Sequence, residues 1–161
     1  MTILVLSDSH AALSFMRRCV EAVKPQAIIH LGDFYDDAQA LQQDYSHIPF
    51  HIVPGNCDRY RAPLSACELL CYPVGGVKML MTHGHIYRVK TGIGALTAEA
   101  RRLGAQAALY GHTHIADCHQ EEDGLWVINP GTCGHFGGSA GVIETDGEKI
   151  SACRIITQAD L

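Results

Sequence analysis

The chain lacks any apolar stretch that approaches the roughly 20 residues needed to cross a bilayer, and it has no CxxC pair of the kind that holds structural zinc. Residues 1–6 are mostly apolar, but they have no basic flank and run straight into Ser7-Asp8-Ser9-His10. We therefore interpret them as a first buried strand rather than a signal segment. These absences predict no membrane association and a cytoplasmic location.

Positive charge is also scarce. The chain has 12 lysines and arginines against 17 acidic residues, and its formal net charge is −5. A protein that binds nucleic acid non-specifically normally presents a basic face, so this charge argues against such binding. Two bound divalent cations would offset most of the deficit and would attract phosphate locally.

The seven cysteines show no regular framework of spacings, and their number is odd. Because no secretory signal is evident, a disulfide scaffold is not expected. We predict that five of them are small buried apolar residues in a reducing compartment. These five are Cys19, Cys67, Cys71, Cys118 and Cys153.

The first half of the chain alternates apolar strands with amphipathic helices. Strands are predicted at residues 2–7, 27–31 and 50–53, and helices at 11–23 and about 37–44. Strand–helix–strand alternation of this kind predicts parallel strands joined by right-handed crossovers.

The second half has a different pattern, in which hairpins dominate. Strands are predicted at 67–72, 77–82 and 107–110, a helix at 94–103, and hairpin turns at 75–76, 123–124 and 146–147. Helix-wrapped parallel strands followed by hairpins predict an α/β fold with a sheet-on-sheet core between helices. No linker or repeat interrupts residues 1–161, so we expect one domain.

Five short segments carry metal-ligating side chains, and each follows an apolar strand. They are Asp8-Ser9-His10, Gly32-Asp33, Gly55-Asn56-Cys57-Asp58, Thr82-His83-Gly84-His85 and Gly111-His112-Thr113-His114. Because open α/β folds place their sites at the carboxyl ends of strands, we expect the five segments to meet there. Asp33, alone after its strand, could bridge two ions.

This mixture of carboxylate, imidazole and amide oxygen suits manganese, iron or zinc better than calcium or magnesium. Two such ions, roughly 3.5–4 Å apart, would activate a bridging water as hydroxide and clamp the oxygens of an in-line displacement at phosphorus. The ligand set therefore predicts a hydrolase.

At these residues the chain resembles the calcineurin-like metallophosphoesterase superfamily, whose pattern is Asp-x-His, Gly-Asp, Gly-Asn-His-Asp/Glu, a histidine in a turn, and Gly-His-x-His. The resemblance covers essentially the whole length and implies two mixed β-sheets packed as a sandwich flanked by helices. It implies that Asp8, His10 and His114 hold one ion and that Asp33 bridges. Asn56, His83 and His112 would hold the second. Manganese is the expected metal, with iron, zinc and nickel as alternatives.

Cys57 departs from this pattern, because most of the superfamily has a histidine there that assists the leaving group. The Gly-Asn-Cys-Asp sequence is similar to a compact prokaryotic phosphodiesterase branch, which is related to the small scaffold subunit of retromer. A thiol is a weak proton donor, and losing a general acid commonly costs about 10²–10⁴-fold in rate. The sequence therefore predicts a phosphodiesterase of small molecules with weak monoesterase activity.

Several roles stay open at this point. Either His85 or Cys57 could assist the leaving group, and Asp58 is expected to orient a neighbour. Among the other histidines, His30 is expected to pack or support the ligands, His47, His51 and His119 to be surface or strand residues, and His135 could approach the site.

Two other classes of function compete with the phosphodiesterase. One is a non-catalytic scaffold of the same fold, and the other is a metal-dependent hydrolase of a non-phosphate ester. The apolar edges of the terminal hairpins could also pair two copies into a homo-oligomer.

Overall fold

A computed structural model describes residues 1–134 and 137–161, which form ten strands and three α-helices. In chain order these are β1 (Thr2–Leu6), α1 (Leu13–Val23), β2 (Ala27–His30), α2 (Tyr35–Asp44), β3 (Phe50–Ile52), β4 (Leu69–Val74), β5 (Val77–Thr82), α3 (Gly94–Arg102), β6 (Ala107–Leu109), β7 (Asp117–Gln120), β8 (Trp126–Asn129), β9 (Ser139–Thr145) and β10 (Ile150–Thr157).

The strands form two mixed sheets of five strands each. The first has the order β10-β9-β1-β2-β3, and the second has the order β4-β5-β6-β8-β7. The parallel pairs are β1 with β2 and β2 with β3 in the first sheet, and β5 with β6 and β6 with β8 in the second. Hairpins form three of the four sheet edges, and the parallel strand β3 forms the fourth. The predicted parallel strands and hairpins are therefore confirmed.

Alternation along the strands explains the layers. In β1, Ile3 and Val5 face the second sheet, where they pack with residues such as Met79. Leu4 and Leu6 point to the opposite face and are covered by α1 and α2. The outer face of the second sheet packs against α3 in the same manner. Both faces of β1 are buried, which explains its unbroken apolar sequence.

The cysteine prediction was wrong in part. Cys19 is buried as expected, but Cys67 is exposed and Cys71 is half-buried. Cys118 in β7 and Cys153 in β10 form a disulfide, and the Cα atoms of these two cysteines are 6.8 Å apart. The spacing of these two cysteines could not reveal the pair, because β7 and β10 belong to different sheets and become neighbours only when the sheets stack.

No helix in the described part of the chain is both long enough and apolar enough to cross a membrane.

Candidate metal centre

The five predicted ligand segments meet at the carboxyl ends of β1, β2, β3, β5 and β6. Each turns sharply as its strand ends. Among the described non-glycine residues, nine have a positive φ, and five of those nine are predicted ligands: Asp8, His10, Asp33, His112 and His114. Left-handed backbone is costly for such residues and concentrates at functional sites. The turns therefore aim these side chains at a common point.

Asp8, His10 and His114 form the first ligand group, as the resemblance implied. Their ligand atoms all lie within 4.8 Å of one another. Asp8 is fully buried, and its Oδ2 accepts hydrogen bonds from the Ser7 hydroxyl at 2.5 Å and the His112 amide at 3.0 Å. Within the described part of the chain its Oδ1 accepts no hydrogen bond, and it lies 3.0 Å from His114 Nε2. One carboxylate oxygen is therefore held, and the other is available to a cation.

Asp8, Asp33 and His83 form a second group, all three of them buried, whose ligand atoms also lie within 4.8 Å of one another. His83 Nδ1 lies 2.8 Å from the Leu31 carbonyl, an acceptor to which it can only donate. Nε2 is therefore the ring nitrogen of His83 left to bind a metal, and it lies 3.1 Å from Asn56 Oδ1 and 3.5 Å from Asp33 Oδ1. A cation bound between these three atoms would contact all of them.

His112 completes this side of the site, because its ring centroid lies 5.0 Å from that of His83. Burial, together with His83 and Lys90, lowers the pKa of His112 to about 4. Burial opposes ionisation of Asp33, but His83 and the Cys57 amide outweigh it and lower the pKa of that carboxyl. At neutral pH the site therefore holds a neutral imidazole and an ionised carboxylate, the forms that ligate metal.

Cys57 and Asp58 differ sharply in their surroundings. Cys57 is exposed, its amide donates to Asp33 Oδ1 at 2.9 Å, and its Sγ lies 3.4 Å from Asn56 Nδ2. Burial and the carboxylates of Asp33, Asp58 and Asp8 raise the pKa of Cys57 to about 11. Asp58 is buried, and its two oxygens accept from the amides of Gly55 and Tyr35, both at 2.8 Å. Asp58 therefore positions the turn that carries Asn56.

Residues that the sequence analysis missed hold the ligand turns in place. Thr132 Oγ1 donates to the carbonyl of Asp8 at 2.8 Å. Asn129 Nδ2 donates to the Gly111 carbonyl at 3.1 Å and to Thr113 Oγ1 at 2.9 Å. These are ordinary polar residues at the ends of later strands, and only Asn129-Pro130-Gly131, a turn signal, marked the region in the sequence.

Two glycines let these segments approach closely. A Cβ added at Gly55 would collide with the carboxylate of Asp33, and one added at Gly111 would collide with the Ser7 hydroxyl. Both glycines are therefore required by the approach of two chain segments to the carboxylates, not only by the turns themselves.

The other histidines stay away from the ligand groups or only support them. His30 is fully buried, its Nδ1 accepts from the Gly32 amide at 3.2 Å, and burial lowers its pKa to about 3. His51 contacts the Tyr72 hydroxyl, His119 contacts Asp117, and His47 is exposed. The prediction for His135 lies outside the described residues.

His85 lies at the margin of the site, with its ring centroid 6.1 Å from that of His112. Its Nε2 lies 3.4 Å from Glu68 Oε1, and its buried Nδ1 makes no hydrogen bond within the described residues. His85 is therefore close to the ligand groups, but it is outside both of the clustered sets.

The donor set fits divalent cations. It combines two buried carboxylates, four imidazoles and an amide oxygen, and one of the buried carboxylate oxygens accepts no hydrogen bond from residues 1–134 or 137–161. Fold and site together define a metal-binding sandwich of two mixed sheets flanked by helices. The chain belongs to the calcineurin-like phosphoesterase superfamily, whose domain model matches residues 1–148.

Individual relatives agree with this assignment. A probable metallophosphoesterase of Bacillus subtilis, YsnB, is 30% identical over 136 residues, which cover 82% of this chain and 75% of YsnB. Phosphodiesterase MJ0936 of Methanocaldococcus jannaschii is 26% identical and is aligned over 91% of this chain and 94% of its own. The structure of Vacuolar Protein Sorting 29 from Cryptosporidium parvum matches with a TM-score of 0.74 at 17% identity, over 97% of each chain, and shows the shared fold.

Proposed function

We propose that this protein is a metal-dependent phosphodiesterase with weak monoesterase activity on small-molecule substrates. One observation supports it above all: seven donor side chains from five separate strand ends converge, with His83 Nε2 3.1 Å from Asn56 Oδ1 and 3.5 Å from Asp33 Oδ1. Hydrolysis of phosphoric esters is the activity by which the superfamily is named.

Seven residues would hold a pair of divalent ions, for which manganese is the proposed metal. Asp8, His10 and His114 would hold one ion, Asn56, His83 and His112 the other, and Asp33 would bridge. When bound, the ions would supply an acidified water and positive charge at the phosphoryl oxygens.

The chain's own residues then set the reaction preference. Cys57 occupies the exposed position where a histidine would assist the leaving group, and its thiol is a weak donor. His85 is the other group at the edge of the site that can contact a departing alcohol. A phosphodiester carries one negative charge fewer than a monoester, so it depends less on an additional cationic donor. This difference is the reason to propose diester before monoester hydrolysis.

A scaffold without catalysis is the second candidate, because the likeness to Vacuolar Protein Sorting 29 extends over 97% of the chain. It would require no bound metal. Erosion of the ligand set would favour it, but all seven positions carry ligand-type side chains.

Rates on three nitrophenyl substrates separate these possibilities. With manganese, we expect hydrolysis of bis(4-nitrophenyl) phosphate to exceed that of 4-nitrophenyl phosphate and of 4-nitrophenyl acetate. Asp33→Asn removes the bridging charge in nearly the same volume and should lower kcat/KM for the diester by about 10³-fold or more. Asp36→Asn, at an exposed surface pair with Arg61, is the matched control.

Near-normal diesterase activity in Asp33→Asn would refute the proposal. Preferential hydrolysis of the acetate would favour a different ester substrate. Metal analysis of the purified protein provides the test for a scaffold, because absence of both metal and turnover would support that alternative.

A further inference from the structure

Exposed apolar side chains lie on the segment that follows Gly55-Asn56-Cys57-Asp58. Among the described residues, five large apolar side chains are exposed, and two of them, Tyr60 and Leu64, belong to this segment. Tyr60 is 91% exposed and Leu64 is fully exposed. Apolar side chains left in solvent beside a polar site indicate contact with a partly apolar ligand or partner.

The exposed Leu64 lines an open groove that begins at the candidate ligand Asn56. This cavity, the 54–68 groove, has a volume of about 570 Å³ and is lined by Asn56, Arg59, Pro63, Leu64, Glu68 and His85, among others. Asn56 is a proposed ligand, and His85 is the proposed contact to a leaving group. The volume falls within the range of small-molecule sites, roughly 300–1,000 Å³. An ester group attached to a phosphorus atom at the metal centre could therefore extend into this groove.

The side chains that line the groove favour an aromatic ring over an alkyl chain as the bound group. Glu68 Oε1 lies 3.4 Å from His85 Nε2. Arg59 has no ion pair with any described residue, and its guanidinium already lies 5.5 Å from the ring centroid of Tyr60. Guanidinium groups stack on aromatic faces, and a leucine side chain packs against the same kind of surface. Arg59 and Leu64 therefore offer two complementary partners for an aromatic ring.

We propose that the 54–68 groove binds an aromatic ester group of the substrate, as in an aryl or a nucleoside phosphodiester. Leu64 and Arg59 contact the ring, while the phosphorus lies at the metal centre. This proposal rests on the proposed phosphodiesterase function and adds the class of the alcohol.

Binding of non-hydrolysable phosphonates tests the groove without turnover. Methylphosphonate, phenylphosphonate and the 5′-phosphonate of thymidine are titrated into the manganese-loaded protein by calorimetry. Burying one face of a ring, about 50 Å² of apolar surface, should tighten binding roughly tenfold over methylphosphonate. A larger gain for the phenyl compound identifies an aryl group, and a larger gain for the thymidine compound identifies a nucleoside.

Leu64→Ala should reduce the preference for the ring to about threefold or less, with an unchanged Tm and unchanged metal content, because Leu64 is fully exposed. Ile115→Ala is the matched control: Ile115 is also exposed and adjoins His114, but it lines a different cavity. Equal affinities for all three phosphonates, or equal losses in both variants, would overturn the groove proposal alone. Absence of turnover of bis(4-nitrophenyl) phosphate by the same loaded protein would overturn the phosphodiesterase function as well.

Discussion

Replacing Cys57 with histidine tests the physical basis of the proposed diester preference. The variant introduces an imidazole where the superfamily pattern usually has one, next to a predicted metal ligand. We expect monoester turnover to rise, because imidazolium can protonate a leaving alkoxide and a neutral thiol does so poorly. Without metal the pKa of Cys57 is raised to about 11, and bound cations would act in the opposite direction; neither a thiol nor a thiolate replaces imidazolium as a proton donor.

The structure sets the expected size of this gain. The Cys57 side chain is exposed, so the larger imidazole extends outward without displacing core residues. The contact to Asp33 comes from the Cys57 backbone amide at 2.9 Å and survives the substitution. A well-placed general acid contributes about 10²–10⁴-fold, and an exposed, unsupported ring will realise only part of that. We expect a rise of roughly 10–100-fold in kcat/KM for phenyl phosphate.

The assay compares phenyl phosphate with 4-nitrophenyl phosphate, because phenolate is the more basic leaving group and needs more help from an acid. The gain should therefore be larger for phenyl phosphate and smallest for bis(4-nitrophenyl) phosphate. Cys57→Ser is the control, since it replaces the thiol with another small neutral group. A fall in monoester and diester rates alike in Cys57→His, with metal content preserved, would refute this account of the cysteine.

Two further predictions concern stability. Burial lowers the pKa of His30 to about 3, below its ordinary value of 6.5. Unfolding therefore takes up a proton between these values, and stability is lost as pH falls through them, by roughly 1.4 kcal/mol per pH unit. His30→Gln should flatten this acid loss in urea titrations of chelator-treated protein from pH 6 to 4; an unchanged pH slope would contradict the prediction. The Cys118–Cys153 disulfide closes a sequence separation of 35 residues, so chain entropy predicts that Cys118→Ser lowers the free energy of unfolding by up to roughly 4 kcal/mol. A Tm that responds neither to this substitution nor to reductant would show that the bond contributes nothing.

Much of the fold could be predicted because its signals are local. Apolar runs ending in Gly-Asp or Gly-His located β2 and β6 to within a residue or two. Helix α2 begins at Tyr35 rather than near residue 37, because the Tyr35 amide donates to Asp58, 23 positions away. The disulfide was missed for the same reason, since β7 and β10 meet only across the stacked sheets. Element types followed from periodicity, whereas boundaries and pairings depended on distant contacts.

The candidate site follows the same division. Residue types marked the candidate ligands, but the sequence could not reveal how each side chain is held. The tautomer of His83 is set by the Leu31 carbonyl, and Asp8 is fixed by the Ser7 hydroxyl and the His112 amide. A serine or a leucine in the sequence gives no indication that it will make these contacts. The contacts depend on where the strands end.

The arrangement also explains why so much of the protein's structure supports one small region. Five predicted ligands adopt left-handed backbone, at roughly 1–2 kcal/mol each for an ordinary residue. The carboxyl groups of Asp8 and Asp33, both buried, place ligand oxygens within 4.8 Å of each other, an arrangement that a cation between them stabilises. The contacts of Thr132, Asn129 and Asp58 with backbone hold these turns regardless. Because the scaffold maintains this unfavourable geometry, the binding energy of a cation need not be spent on assembling the site. Under the proposed function, Cys57 and Leu64, which are exposed at its margin, would set which ester is hydrolysed without disturbing the ligands.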